Sequence, residues 1–423
     1  MKAGASYRDV TLPDFLQGRP NVHDSLYARV LVLDDGEDTV AIICLDMVDP
    51  FFPEVRKKIQ ERLGIEHTFI NCIHTHSDAR GGRKENWAEK VGEAIWEAVE
   101  EAHANRVPVS LHAGRAPVQI GYNRRSKRYT EAVVPWVNVL QARNENGKPL
   151  AVLFEHAAHP VITLECGAIS ADYPAYAVQR INEALGDEVM PLFGQGCCGN
   201  INGYPVGFTM ASGWHQRAEE AGRKLGDAVL AGMAESTEIK TDKFKVRTER
   251  TMLPCRLPTM DGWVEMATRL MRQSPFKPLP GDEAPNGTHD SWVRSLDLVK
   301  GMIERGEKPE VEFGINGVML GSEWCLVTMP SEMFCEYELW IDENAPFDHK
   351  MVFGYTNAGL GYIPTDKALV LGVEDPLDAE SECNEAASWP AFFEGIHIRG
   401  ARLPYAPGTE RAIHEAIASL WAK

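Results

Sequence analysis

The stretch Ala28–Leu45, ARVLVLDDGEDTVAIICL, decides the fold class. Two β-rich runs, Ala28–Leu33 and Thr39–Leu45, flank the turn signal Asp34-Asp35-Gly36 and read as a hairpin. Immediately downstream the pattern changes. Pro53 opens a helix over Glu54–Leu63, Thr68–Ile73 is a short apolar strand, and Val91, Ile95, Trp96 and Val99 give helical periodicity to Asn86–Ala104. A hairpin followed by βα alternation predicts an α/β protein, a layered mixed-sheet domain with flanking helices.

The same signals continue along the chain. Val137–Ala142 and Leu150–Glu155 flank Asn146-Gly147 as a second hairpin; a helix is expected at Tyr173–Leu185, a strand at Val189–Phe193 and a helix at Trp214–Met233. A strand follows at Phe244–Leu253. Ser274–Asn286 carries four prolines in thirteen residues and reads as an exposed excursion. Beyond it come a helix near Ser291–Arg305, a hairpin of Glu310–Ile315 with Val318–Leu320 around Asn316-Gly317, a strand at Trp324–Thr328 and a helix from Glu332. No internal repeat or low-complexity tract is visible.

Composition narrows the function. The 423 residues hold 43 Lys+Arg against 61 Asp+Glu, a formal net charge of −18. Binding to nucleic acid or to an anionic membrane requires a basic surface, so neither partner is expected. No stretch approaches the roughly 20 apolar residues of a membrane span, and the first nine residues lack the apolar segment of a signal peptide, so a cytoplasmic protein is expected. Nine Cys without a CxxC pair fit reduced thiols better than a disulfide framework. The oligomeric state stays open, a homo-oligomer included.

Three segments carry candidate chemistry. His74-Thr75-His76 follows an apolar strand and leads into Asp78-Ala79-Arg80-Gly81-Gly82. Histidines at i and i+2 on extended chain face the same way, and strand C-termini are where α/β sites collect, so the pair can supply one metal ligand and one acid/base; two polar residues at a loop entrance is the bland alternative. His156 and His159 follow another strand, without the Glu of an HExxH helix and with Pro160 opposing helix, so His159 is the better ligand candidate. Gly194, Gly196, Gly199 and Gly203 surround Cys197 and Cys198, where a loop can approach a ligand or simply bury two small thiols. Ser331-Glu332 reads either as an N-cap and first-turn carboxylate or as the source of a third ligand.

Read together, these segments resemble the catalytic domain of the neutral ceramidase family and its short bacterial relatives. The family's His-Thr-His-Ser is matched by His74–Ser77, its Asn-Arg by Asn123-Arg124, its strand-end His by Phe154–Pro160, its glycine loop by Gly196–Asn200, its Pro-Gly-Glu by Pro330-Ser331-Glu332 and its Tyr loop by Thr356–Thr365. Short relatives also share segments like Val22–Arg29 and Ile169–Pro174. The resemblance runs in order from about residue 3 to about residue 370 and implies one ceramidase-like catalytic domain over residues 1–423, without the C-terminal immunoglobulin-like domain of ceramidases proper. It implies zinc held by His74, His159, Glu332 and Tyr362, with Tyr355 the alternative to Tyr362. It further implies catalytic roles for His76, Arg124 and Asn200, and substrate contacts from Asp78, Asn123, Arg124, Gly196 and Cys197.

The function this implies is a zinc-dependent hydrolase that cleaves an amide, or else an ester or lactone, in a small soluble polar molecule through metal-activated water. Two departures stand within the motifs, and the first, which puts a carboxylate beside the metal, points together with the net charge of −18 away from ceramide itself. Asp78-Ala79 replaces the family's Gly-Pro, and Asn200 replaces an Asp. Rival readings are a metal-dependent isomerase, epimerase or lyase acting on a hydroxy acid or sugar, and a metal-containing binding protein without turnover.

Overall fold

The computed structural model describes residues 1–12, 21–49, 52–78, 86–124, 132–164, 167–203, 213–264, 297–359, 361–369, 403 and 405–422. In chain order the elements are β1 (Lys2–Asp9), β2 (Tyr27–Asp34), β3 (Thr39–Leu45), α1 (Pro53–Leu63), β4 (His67–Cys72), α2 (Trp87–Ala104), β5 (Val107–Pro117), β6 (Gly121–Asn123), β7 (Trp136–Asn144) and β8 (Pro149–His156). The second half continues with α3 (Tyr173–Leu185), β9 (Met190–Gln195), β10 (Ile201–Gly203), α4 (Trp214–Ala234), β11 (Thr237–Ile239), β12 (Phe244–Pro254), β13 (Glu310–Leu320), β14 (Trp324–Thr328), β15 (Glu332–Met333), α5 (Cys335–Asn344), β16 (His349–Phe353), β17 (Tyr362–Ile363) and α6 (Thr409–Trp421).

The large sheet runs β4-β3-β2-β1-β5-β7-β8-β9 with β11 alongside β5, and a second sheet runs β12-β13-β14-β16. The β2–β3 and β7–β8 hairpins are antiparallel as expected, while β3–β4, β8–β9 and β14–β16 are parallel, so both sheets are mixed.

Side-chain alternation stacks these sheets into layers. On β2, Ala28, Val30 and Val32 join the core under α1–α4, whereas Leu31 and Leu33 face the second sheet. On β8, Val152 and Phe154 take the helix side, and Ala151 and Leu153 the other. Trp324 and Leu326 of β14 meet that inter-sheet core, while Cys325 and Val327 pack toward α5 and α6. The order is therefore helices, large sheet, small sheet, helices. A strand buried on both faces needs apolar residues at every position, which explains the unbroken run of Val40–Leu45; each fully buried Val, Ile or Leu there contributes about 1.5–3 kcal/mol.

Two local expectations are corrected. Asn316-Gly317 is not a turn: β13 runs straight through it, with Asn316 bonded to Thr248 Oγ1 on one side and Thr328 Oγ1 on the other. Gly317 serves close approach instead, since a Cβ there would lie 3.3 Å from Leu420 of α6. The tight turn is at Gly321, φ 55°. Nor does a helix start at Glu332. Ser331 sits at φ 84°, Glu332 pairs with Tyr362 in a parallel ladder, and the helix begins at Cys335. Residues 297–304 are helical as expected, whereas 291–296 and the proline-rich Ser274–Asn286 lie outside the described residues. Among the described residues no helix is long and apolar enough to cross a membrane.

Candidate metal centre

The C-terminal ends of β3, β4, β8, β9, β14 and β16 meet at one seam between the two sheets, which is where open α/β folds place their sites. Asn71, the penultimate residue of β4, stitches the seam. Its Nδ2 donates to Gly354 O at 2.7 Å, and its Oδ1 accepts from Gln195 N at 2.7 Å. Cys72 N donates to Tyr355 O at 3.1 Å and Asn357 N to Ile70 O at 2.9 Å. Backbone strain collects at the same place. His74, Asp172, Ser331, Tyr355 and Asn357 all have φ between 45° and 84°, a conformation that side chains with a Cβ rarely adopt.

Three donors converge there. His74 follows β4, His159 follows β8 and Glu332 opens β15, and all three are buried. His74 Nδ1 lies 2.7 Å from Val48 O and His159 Nδ1 lies 3.0 Å from Ile201 O. A carbonyl only accepts, so each ring carries a proton on Nδ1, and the neutral imidazole then presents a lone pair at Nε2. Glu332 Oε2 lies 3.4 Å from His74 Nε2 and 3.3 Å from His159 Nε2. With both imidazoles neutral, their lone pairs face the Glu332 carboxylate at close range. Such an arrangement is repulsive unless a cation occupies it, and two imidazoles plus a carboxylate are the donor set of a catalytic zinc. The carbonyls on the far ring nitrogens fix tautomer and orientation, as partners of metal-bound histidines do. A metal ion therefore fits this site. His76 stands beside it: one ring nitrogen from each of His74, His76 and His159 lies within 4.8 Å of the other two.

Electrostatics agree. Burial, the main cause, brings His159 down to about 4, so it is neutral at pH 7 and able to ligate. Burial pushes the Glu332 carboxyl up, but positive charge on His74 and hydrogen bonds donated by the two imidazoles when they carry a second proton outweigh it and hold the group well below the usual carboxylate range; a divalent cation takes the place of those protons. Tyr355 OH lies 3.2 Å from His159 Nε2 and accepts from the Cys198 thiol at 3.1 Å. Tyr362 OH is further out. It accepts from Arg124 Nη2 at 2.8 Å, with the guanidinium over its ring at 5.3 Å. Arg124 also donates to Gly199 O at 3.1 Å.

Other expected site residues sit behind this centre. The buried Asp78 accepts from Val48 N at 3.1 Å and so braces the carbonyl that orients His74. Asn200 accepts from Cys335 N at 2.8 Å and donates to Glu336 at 2.9 Å, holding the first turn of α5. Asn123 donates to Ala132 O at 2.9 Å. Cys197 N donates to Glu338 at 2.9 Å, and burial pushes the thiols of Cys197 and Cys198 well up. Gly196 faces two buried carboxyls: a Cβ would lie 2.5 Å from Glu155 and 2.8 Å from Glu338. His156 bonds Trp136 O at 2.7 Å, a structural position. Arg80, Gly81 and Gly82 lie outside the described residues.

Sequence reasoning missed Asn71, the Val48 and Ile201 carbonyls and a buried hydroxyl network. In that network Asp172 accepts from Thr163 N and Oγ1 at 2.6 and 2.7 Å, and Ser77 Oγ donates to Thr163 O at 2.9 Å, tying the His76 segment to the His159 segment. The Asp172-Tyr173-Pro174 helix start is its one visible trace in sequence.

The fold matches solved structures over almost its whole length. Neutral ceramidase from Pseudomonas aeruginosa aligns with a TM-score of 0.67 at 16% identity, over 98% of this chain and 72% of that one. A ceramidase complexed with C2 aligns with a TM-score of 0.70 at 16% identity, over 98% and 73% of the two chains. The chain thus has a neutral-ceramidase-like fold. No protein-family model and no curated protein sequence matches it.

Proposed function

We propose that this chain is a zinc-dependent hydrolase that cleaves an amide bond in a small, soluble, polar substrate. The observation that carries this reading is the convergence of the Nε2 lone pairs of His74 and His159 on Glu332 Oε2 at 3.4 and 3.3 Å. A divalent ion bound by these residues supplies Lewis-acid polarisation of a carbonyl and lowers the pKa of water toward about 7. Tyr355, 3.2 Å from His159 Nε2, is the fourth protein group at the centre. The ceramidases that share the fold support amide chemistry.

The chain's own residues do the rest. His76, half-buried with its ring 5.0 Å from that of His74, takes a proton from water and returns it to the departing amine. Arg124 offers a cation beside the seam to a carboxylate or hydroxyl of the substrate, held in place by Tyr362 and the Gly199 carbonyl. The cavity against the donors is lined by Val48, Asp49, His74, Ser331, Glu332, Tyr355, Ala358 and Gly359.

A panel of soluble amides, esters and lactones, with short- and long-chain ceramides in detergent, tests this on zinc-loaded protein. Hydrolysis of soluble amides is expected, and it is lost in His76→Ala with zinc retained. Ceramide turnover with kcat/KM above about 10⁴ M⁻¹s⁻¹ would overturn the polar-substrate assignment. Solvent deuterium incorporated at carbon without hydrolysis would overturn the reaction class.

A further inference from the structure

Behind the metal centre the buried side chains of Thr75, Ser77, Thr163, Ser170 and Asp172 form one hydrogen-bonded network. Asp172 is the acid among them. Burial lifts its carboxyl to about 6, and the bonds it accepts from Thr163 and Tyr173 oppose that rise, so it stays ionised at neutral pH. Its simplest role is helix capping, since it precedes α3 and its Oδ1 accepts from Tyr173 N at 2.7 Å. Capping does not account for the geometry. Asp172 stands at φ 59° and ψ −152°, a region that is essentially glycine's, whereas an ordinary N-cap sits in relaxed extended backbone. That strained backbone turns Oδ2 away from the helix, where it accepts from Thr163 N at 2.6 Å and from Thr163 Oγ1 at 2.7 Å.

The bonds lead from there to His76. With the Thr163 hydroxyl proton committed to Asp172, Ser77 Oγ donates to Thr163 O at 2.9 Å and lies 3.0 Å from Thr163 Oγ1. On the other flank Thr75 Oγ1 donates to Ser170 O at 2.8 Å and accepts from Ser77 N at 3.2 Å. Ser170 N donates to Ser77 O at 3.0 Å, and Ser170 Oγ accepts from Asp172 N at 2.9 Å. Both neighbours of His76 are thus fixed by groups that Asp172 orders, and His76 N itself donates to Pro160 O at 3.4 Å. Tyr173 extends the frame toward the metal centre, because its OH donates to Ala158 O at 2.6 Å, next to His159.

We propose that Asp172 is a positioning residue of the reaction, holding His76 through Thr163 and Ser77 at its working distance from His74, His159 and Glu332, a role that rests on His76 being the proton-transfer group. Asp172 does not line the cavity against the donors, so it acts through the histidine turn and not on substrate. An imidazole transfers a proton only within hydrogen-bond reach, and a misplacement of about 1 Å commonly costs about 100-fold in rate.

Thr163→Val deletes the linking hydroxyl at nearly constant shape, Thr163→Ser keeps it, and Asp172→Asn removes the charge and one acceptor. Each variant is checked for native circular dichroism and zinc affinity. On a soluble amide that the zinc-loaded parent hydrolyses, Thr163→Val and Asp172→Asn should lower kcat about 100-fold with KM within about twofold and zinc affinity unchanged, and Thr163→Ser should keep kcat near the parent. Proton–nitrogen correlation spectra of protein carrying nitrogen-labelled histidine, at neutral pH and assigned with His76→Ala, read the same clamp without turnover. The His76 ring signals should shift in Thr163→Val and Asp172→Asn and hold in Thr163→Ser. Such shifts support the clamp even where no amide is hydrolysed, an outcome that would fail the hydrolase reading alone. Unmoved His76 signals in folded Thr163→Val, or kcat lost only in step with zinc, overturn it.

Discussion

Substituting Gly199 by Ala probes how the glycine loop sets the metal centre. A Cβ at this position would lie 2.3 Å from Glu332 O, 2.8 Å from Met333 O and 2.9 Å from Glu332 C. All three are backbone atoms of β15, so no side-chain rotation relieves the clash, and Gly199 N already donates to Met333 O at 2.7 Å. Ordinary contact begins near 3.4 Å, so the two segments must separate by about 1 Å, and overpacking of this kind costs about 1–3 kcal/mol. The displaced residue is Glu332 itself. A shift of a ligand's support commonly lowers metal affinity about 10- to 100-fold, so Gly199→Ala should lose both stability and zinc affinity. Gly314→Ala is the control, because a Cβ there meets nothing within 4 Å and its φ is not positive; it should be neutral or slightly stabilising. Urea unfolding and chelator competition read the two effects. Wild-type zinc affinity in Gly199→Ala, with stability within about 0.5 kcal/mol of the parent, would refute the reasoning.

Three further outcomes follow from the same geometry. Burial raises Glu155 to about 7 and, with Glu155 beside it, Glu338 well above the usual range, so the pair holds a proton that the unfolded chain releases near the ordinary carboxylate value. Folded values above unfolded ones give stability that is complete at acid pH and declines as pH rises through the folded pKa; urea midpoints between pH 5 and 9 should fall for wild type and fall less for Glu338→Gln. Alkylation by iodoacetamide should leave activity intact, because the Cys197 and Cys198 thiols are fully buried and pushed well up, and rapid inactivation with native folding would contradict that. Tyr355→Phe should weaken zinc binding by about tenfold or more in chelator competition while Tyr362→Phe does so less, since Tyr355 is the phenol at His159 Nε2; the reverse order would exchange their roles.

Much of this structure is legible in sequence wherever local chemistry and burial agree. The β2–β3 and β7–β8 hairpins are marked by Asp-Gly and Asn-Gly turns, and α1 by Pro53 at its start, with Gly64 at φ 69° closing it. Asn316-Gly317 carries the same turn signal but answers to a tertiary demand, the approach of Leu420, that no local window contains. β1 and β5 are missed for a related reason. Lys2–Asp9 is short of large apolar residues because it packs tightly on α2, where a Cβ on Gly4 would lie 1.9 Å from Ala102 O. At the site, His74, His76 and His159 announce themselves as histidines at strand ends. Glu332 stays between two readings there and Tyr355 enters only through the resemblance, since their meeting with those histidines depends on the second sheet docking on the first through Asn71 and Gly354, 283 residues apart.

The central claim is that His74, His159 and Glu332 hold a divalent ion. Anomalous diffraction from crystals of zinc-loaded protein, collected on both sides of the zinc absorption edge, tests it most directly. The account predicts a zinc peak within about 2.0–2.2 Å of His74 Nε2, His159 Nε2 and a Glu332 carboxylate oxygen. Full zinc loading with no anomalous peak between those three residues would contradict it.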